Sequence, residues 1–584
     1  MNNSSDLKLW LPTSKKEIEN LGWDYVDIIF FSGDAYVDHP AFGTSLIARI
    51  WENLGLRVAI VPQPNWRDDL RDFKKLGKPR LFFAVSAGNM DSMVNHYTAN
   101  KRLRSNDAYT PDEKANFRPD YAVTVYSNIL KKLYPETPVI IGGIEASLRR
   151  LTHYDYWKNE LLPCILIDSK ADLLSYGMGE KSSIEIAKRI ANGEKIETLI
   201  DIPQTVYKTK STPNIENILH LNSFEECRKN KKKFADNFRL IEEESNVLSP
   251  RTIVEIVGEY NVVINPPYKT MTEKEIDSVY DLPFTRLPHP RYKGKRIPAY
   301  EMIRHSVNIH RGCFGGCSFC TISAHQGKFI TNRSEKSIFD EVRKITQMED
   351  FKGYISDVGG PSANMYAMHG KNTNICEKCR RASCIYPKIC NNLNNDHSKL
   401  TAIYKKIKTL PNVKKATIGS GIRYDLLMDE NGFFDKNCEE YFKQLVKYHV
   451  SGRLKVAPEH TSNKVLKSVR KPSFNLFKIL KNKFDRINVD ENLNQQIIPY
   501  FISCLPYCTI DDMKNLSAET KNLGMKLEQV QAFTPTPMTL ASTIYYTGID
   551  PYTGEKVFIA RTAEERKKQT EQFFQNNSQR RARM

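Results

Sequence analysis

Two trains of short β-rich runs, each run closed by a turn and most followed by a helical pattern, constrain this chain more than any other feature. The first opens with "DYVDIIFFSGDAYVDHP", apolar from Val26 to Phe31 and ended by a Gly-Asp turn. "AFGTSLIARIWENLG" follows, with Leu46, Ile47, Ile50 and Leu54 at helical spacing and a stop at Gly55. "RVAIVPQP", "RLFFAVSAG", "PVIIGGIEA" and "ADLLSYGMGE" repeat the strand pattern. Strands alternating with helices predict an α/β domain, a doubly wound parallel sheet, over residues 1–204. Such sheets take ligands outside the carboxyl ends of their strands, where the loop "SGDAYVDHPAFG" falls.

Residues 205–297 read more loosely. "RKNKKKFADNFR" is a charge run of the kind that coats a solvated helix face, and "NPPYKTMTEKEIDSVYDLPFTRLPHPRYKGKRIP" is rich in proline and charge, so the segment is expected to be a connector. The second train begins near Val307. "HSVNIHRG", "YISDVGG", "KKATIGSGIRYD", "RLKVAPEH", "QQIIPYFISCLP" and "LEQVQAFTPTP" supply candidate strands, with helices such as "SIFDEVRKITQM" and "CEEYFKQLVKYHV" between them. This rhythm predicts a partial (β/α)6 barrel of TIM type over residues 298–545, with a Cys-rich insertion at 370–398 and function at the carboxyl ends of the strands. Residues 546–584 end in "RTAEERKKQTEQFFQNNSQRRARM" and are expected to form a basic tail, helical and then frayed.

A chain of 584 residues is too long for one hydrophobic core, which agrees with two domains. No apolar run reaches the roughly 18 residues of a membrane span. The start, "MNNSSDLKLWLPTSKKEIEN", lacks the basic-then-apolar layout of a secretory signal, so a cytoplasmic location is expected. The net charge is +18, from 86 Lys and Arg against 68 Asp and Glu. Such a surface attracts polyanions, RNA or DNA among them, although a lysine-rich composition alone gives the same number.

Seven of the twelve cysteines lie between Cys313 and Cys390. Disulfides are rare in a reducing cytosol, so clustered thiols point to metal or redox chemistry. Cys164, Cys227, Cys438, Cys504 and Cys508 are scattered and are expected to be ordinary buried residues. In "RGCFGGCSFCTISAHQGK", Cys313, Cys317 and Cys320 share one short loop after a candidate strand. Thiolates are the ligands that iron–sulfur clusters prefer, and Gly315 and Gly316 allow the loop to turn tightly. Three ligands leave one iron of a four-iron cluster open to a small molecule. A structural zinc loop is the competing reading, but zinc wants a fourth ligand. His310 is nearby as a strand residue, with no special claim.

"CFGGCSFC" resembles the CxxxCxxC pattern of the radical S-adenosylmethionine (SAM) superfamily. The resemblance implies a 4Fe–4S cluster on Cys313, Cys317 and Cys320, with SAM on the open iron. An electron from the cluster would cleave SAM to methionine and a 5′-deoxyadenosyl radical. It further implies that Phe319 packs on the adenine, although a core phenylalanine is an equal reading. "DVGGPSANMY" resembles the superfamily's GGE element: Gly359 and Gly360 match, and Pro361 replaces the acid. "GSGIR" and "APEH" end later strands, so Ser420, Arg423 and Glu459 are expected to approach SAM, with Asp425 an alternative partner for Arg423.

"CEKCRRASCIYPKICNNLNNDH" adds Cys376, Cys379, Cys384 and Cys390, then His397. Four thiols so close in sequence suit either a tetrahedral zinc site or an auxiliary iron–sulfur cluster; free surface thiols or a redox pair are the remaining readings. "SGDAYVDHPAFG", "VIIGGIEASLRRLTHYDYW", "SGIRYDL", "LKVAPEHTS", "IPYFIS" and "QVQAFTPTPMT" with "YYTG", in this order around the cysteine loop, resemble the YgiQ-like radical SAM proteins over nearly the whole chain. That family is similar to cobalamin-binding domains in its N-terminal part. A lower-ligand motif would read D-x-H-x-x-G; here Asp38 directly precedes His39, with Gly43 four further on, so cobalamin is not expected.

The expected function is therefore a radical SAM enzyme served by a reductant such as flavodoxin or ferredoxin, acting on an unknown substrate that RNA fits by charge. The alternative is a non-catalytic iron–sulfur or zinc protein serving as a redox sensor or RNA-binding scaffold.

Overall fold

The computed structural model describes residues 8–525 and 527–574. They fall into two compact units: residues up to 237 with 249–269 and 278–304, and residues 238–248 and 270–277 with those from 305 on.

The main sheet of the first unit is built from β1 (Ile28–Ser32), β2 (Val58–Pro62), β3 (Phe82–Ser86), β4 (Val139–Gly142), β5 (Leu173–Ser175), β6 (Thr205–Thr209), β7 (Ile218–His220), β8 (Thr252–Val257) and β9 (Tyr260–Ile264). They make one sheet in the order β2-β1-β3-β4-β5-β6-β9-β8-β7. The first five are parallel, with Ile28 opposite both Val58 and Phe82. Every residue of β1, β2 and β3 is buried, as in a sheet covered on both faces, which is why these strands read as continuous apolar runs. The helix Gly43–Asn53 turns Leu46, Ala48, Ile50 and Trp51 inward; Ala48 and Trp51 join the core beside Ile28, Val58 and Phe82.

Residues 205–264 are not a connector: they supply β6 to β9 of this sheet and the helices Phe224–Lys229 and Lys231–Ser245. β6 runs antiparallel to β5, and β8 and β9 form a hairpin with Ile253 opposite Ile264. The reason is local: two β-branched runs flank Gly258, whose φ of 58° turns the chain. The charge run 228–239 is also less exposed than a solvated face, since Phe234, Asn237 and Phe238 are buried.

The second unit carries β10 (Ser306–Asn308), β11 (Tyr354–Ile355), β12 (Asp357–Gly359), β13 (Lys415–Ala416), β14 (Arg453–Glu459), β15 (Gln496–Ser503) and β16 (Gln529–Ala532). β11 and β12 are one strand interrupted at Ser356. Parallel pairing runs in chain order: Val307 with Val358, Ile355 with Ala416, Leu454 with Ile497, Phe501 with Val530. An Ile422–Val456 bridge joins the segment after β13 to β14. This is the partial TIM-type barrel. The helix Ala563–Glu571 buries Arg566 and Gln569, and Gln569 accepts from the Cys504 amide at 2.9 Å and donates to the Cys508 carbonyl at 2.7 Å. Residues 546–574 therefore belong to the folded unit; the expected frayed end, 575–584, lies outside the described residues. Among the described residues, no helix is long and apolar enough to cross a membrane.

Candidate metal centre at the barrel strand ends

The loop that follows β10 carries Cys313, Cys317 and Cys320, all half-buried. Its core anchor is Phe314, 3% exposed, whereas Phe319 is half-buried. Gly316 has a φ of 61°, and a Cβ there would overlap the Ala382 carbonyl oxygen, so the turn requires glycine. Arg470 steadies the same residue through its carbonyl. Its Nη1 donates to the Gly316 carbonyl at 3.2 Å while both its terminal nitrogens meet Glu242 at 2.7 Å, and Tyr552 donates its hydroxyl to Glu242.

Arg423 reaches the loop from the segment after β13. Nη1 donates to Cys317 Sγ at 2.9 Å, and Nε and Nη2 grip the Asp425 carboxylate at 2.9 and 2.5 Å. Burial pushes the Asp425 carboxyl up, but the guanidinium outweighs it and holds the carboxyl below its ordinary value. Asn364 fixes the backbone, its Oδ1 accepting from the Arg423 amide at 2.8 Å and its Nδ2 donating to the Arg423 carbonyl at 3.0 Å. Arg423 is thus an ion-paired group aimed at a sulfur. Burial raises the Cys313 thiol and takes the Cys320 thiol up to about 12, so a metal binding here must displace protons.

Glu459 ends β14 with a φ of 68°, unusual for a residue with a side chain. Its buried carboxylate pairs with Lys471 Nζ at 3.1 Å, and Lys471 also donates to the Ala457 carbonyl at 2.8 Å. Burial pushes the Glu459 carboxyl up, with Lys471 opposing. Gly359 gives its carbonyl to the Ile309 amide at 2.8 Å. A Cβ on Gly360 would lie 2.5 Å from the His310 ring, so the ring lies against the bare Gly360 backbone, a relation that no local motif discloses. Ser420 donates its hydroxyl to Asp357, whose Oδ1 accepts the Gly419 and Ser420 amides at 2.8 and 3.2 Å. The hydroxyls of Ser318 in the loop and Ser362 after Gly360 are buried without a partner.

Cys376, Cys379, Cys384 and Cys390 are half-buried in the insertion. His397 is elsewhere: its Nε2 meets Asn364 at 3.2 Å and its Nδ1 lies 3.5 Å from Cys438 Sγ. The five scattered cysteines are all buried. In the first unit, His39 Nδ1 accepts from the Ala41 amide at 3.0 Å, and the Asp38 carboxylate is taken by Arg49 at 2.6 and 3.0 Å.

The radical SAM N-terminal family model matches residues 10–306, and a domain of unknown function, DUF3362, matches residues 528–577. Over 88% of this chain and 74% of the other, the fold is similar to that of the radical S-adenosylmethionine methyltransferase TsrM from Kitasatospora setae, solved with cobalamin and a [4Fe–4S] cluster bound, at a TM-score of 0.50 and 14% identity. Fold and family model together define a radical SAM type of architecture. UPF0313 proteins of Bacteroides thetaiotaomicron and Porphyromonas gingivalis are each 59% identical to the chain and cover 97% of it, and 94% and 90% of themselves. One from Methanocella arvoryzae is 46% identical over 95% of the chain and 91% of itself. The chain belongs to the UPF0313 family, the YgiQ-like proteins.

Proposed function

We propose that this chain is a radical SAM enzyme in which Cys313, Cys317 and Cys320 hold three corners of a 4Fe–4S cluster and SAM takes the fourth. The observation that carries this reading is three half-buried thiols in one loop at the end of the first barrel strand, with a guanidinium set against one sulfur. When bound, the cluster supplies the electron that cleaves SAM to methionine and a 5′-deoxyadenosyl radical.

The chain's own residues divide the remaining work. Arg423 offsets negative charge on Cys317, and Asp425 and Asn364 keep it aimed. The carboxylate of SAM is therefore assigned less to Arg423 than to the loop's own surroundings. Gly360 is assigned to the SAM amine through its backbone, since Gly359 is committed to the sheet and Pro361 has no side-chain acid. Phe319, half-buried, offers its ring to the adenine. Ser420 and Glu459 shape the rim from within their own pairs, Asp357 and Lys471. The net charge of +18 makes RNA the first substrate class to test.

Protein reconstituted anaerobically with iron and sulfide, then given dithionite and SAM, is expected to release 5′-deoxyadenosine. The Cys317→Ala variant is expected to release none. Wild-type rates from that variant would overturn the reading.

A further inference from the structure

We infer that Cys376, Cys379, Cys384 and Cys390 hold a second iron–sulfur cluster, through which the electron for the first reaches the loop of Cys313. The inference rests on the reading above and adds a site and a role to it.

The insertion is built onto the first loop and not merely near it. The Cys384 amide donates to the Phe314 carbonyl at 3.0 Å, so one hydrogen bond and one peptide unit separate Cys384 from Cys313. The Ala382 carbonyl lies where a Cβ of Gly316 would sit. Phe314, Met365, Met368, Ile385, Leu393 and Leu426 form one apolar cluster, with Cys313, Cys384 and Cys390 packed against it. Both thiol sets thus border the same dry patch, the medium in which an electron passes between centres without reaching water.

The four thiols also share one short insertion, residues 370–398. The backbone folds them together: the Cys390 amide donates to the Cys384 carbonyl at 2.8 Å and the Cys379 amide to that of Cys376 at 3.2 Å. Asn392 Nδ2 donates to Cys376 Sγ at 3.3 Å, the kind of bond that tunes an iron–sulfur centre. Zinc would also accept four thiolates but carries no electron; the apolar patch shared with Cys313 favours a redox centre, and a polynuclear cluster takes a thiolate at each corner. The neighbours Glu377, Lys378, Pro387 and Lys388 are exposed, so a donor protein has access on this side.

The step is a single electron transfer. A small reduced iron–sulfur or flavin protein gives one electron to this cluster and is oxidised; the cluster is reoxidised as the electron passes toward Cys313, and no atom or proton changes place.

The test uses the full chain prepared anaerobically with iron and sulfide, as wild type, as the triple variant Cys313→Ala, Cys317→Ala, Cys320→Ala, and as the double variant Cys376→Ser, Cys379→Ser. Iron, sulfide and zinc per chain are measured, with electron paramagnetic resonance after reduction. The triple variant is expected to keep iron, sulfide and a reduced-cluster signal. The double variant is expected to lose that share, to keep a spectrum that responds to SAM, and to lose fast reduction by ferredoxin while dithionite still reduces it. A triple variant that holds zinc or no iron overturns the inference, as does a double variant reduced by ferredoxin at the wild-type rate. Because the triple variant lacks the first site, its iron is counted whether or not SAM acts there; failure of the earlier reading shows separately, as a double variant indifferent to SAM.

Discussion

At the carboxyl ends of the first sheet, charges close on one another. Arg118, 1% exposed, bridges Asp34 at 2.9 Å and Asp107 at 3.1 Å; Arg49 grips Asp38; Glu145 accepts the Ser92 and Val123 amides at 2.8 and 2.9 Å. At the ends of the barrel strands, Arg423 with Asp425 and Lys471 with Glu459 are paired in the same fashion, but around three thiols that stay half-buried. The first arrangement uses its charge to hold loops. The second uses similar pairs as a frame and keeps a set of soft donors for something else. Position at a strand end is therefore not enough to define a reactive site; what separates the two is whether donors with unused valence sit inside the frame.

The sharpest way to break this contrast is to remove a donor. Cys320→Ala is expected to abolish 5′-deoxyadenosine formation and to strip the loop's iron, as read by iron analysis, while the unfolding transition of the first unit stays where it was. The reverse change, Asp38→Ala, takes the two-pronged carboxylate from buried Arg49 and leaves it only Glu52 at 2.7 Å and the Leu9 carbonyl, so about 3 kcal/mol of stability should be lost in denaturant unfolding, with iron content of the folded protein unchanged. Asp425→Ala tests the frame itself. With Arg423 no longer held, SAM cleavage or iron retention is expected to fall about 10–100-fold, the range seen when a metal ligand's supporting partner is lost. His39→Ala should matter least, costing about 1 kcal/mol for its bond to the Ala41 amide and leaving SAM cleavage intact. Burial keeps the folded His39 neutral and its pKa well below the ordinary value, so wild type loses stability as pH falls below about 6.5. The variant should lose correspondingly less across that window.

How far the sequence discloses these features follows from the range of the interactions involved. β1 to β5 are legible because a strand buried on both faces must be an unbroken apolar run, and the cysteine loop is legible because its spacing is set within eight residues. The β8–β9 hairpin has its own signal in TIVEIV and YNVVI, but a nearby lysine run and the prolines that follow swamp it in any wider window. The frame of the site is legible only where partners are near in sequence, as Arg423 and Asp425 are. Arg423 meets Cys317 across 106 residues, Arg470 meets Glu242 across 228, and the His310 ring lies against Gly360, and no local pattern discloses these. Glu242 in particular belongs to a stretch whose composition suits a solvated helix. Only the tertiary fold gives it a half-buried ion pair with Arg470.

The central claim is that the loop of Cys313, Cys317 and Cys320 leaves one corner of its cluster for SAM. Electron paramagnetic resonance of the anaerobically reduced chain, recorded before and after SAM is added, tests it most directly. A cubane signal whose g-values move on adding SAM is the predicted result. A signal that ignores SAM, as from a cluster already capped by a fourth side chain, or no cubane signal at all, contradicts it.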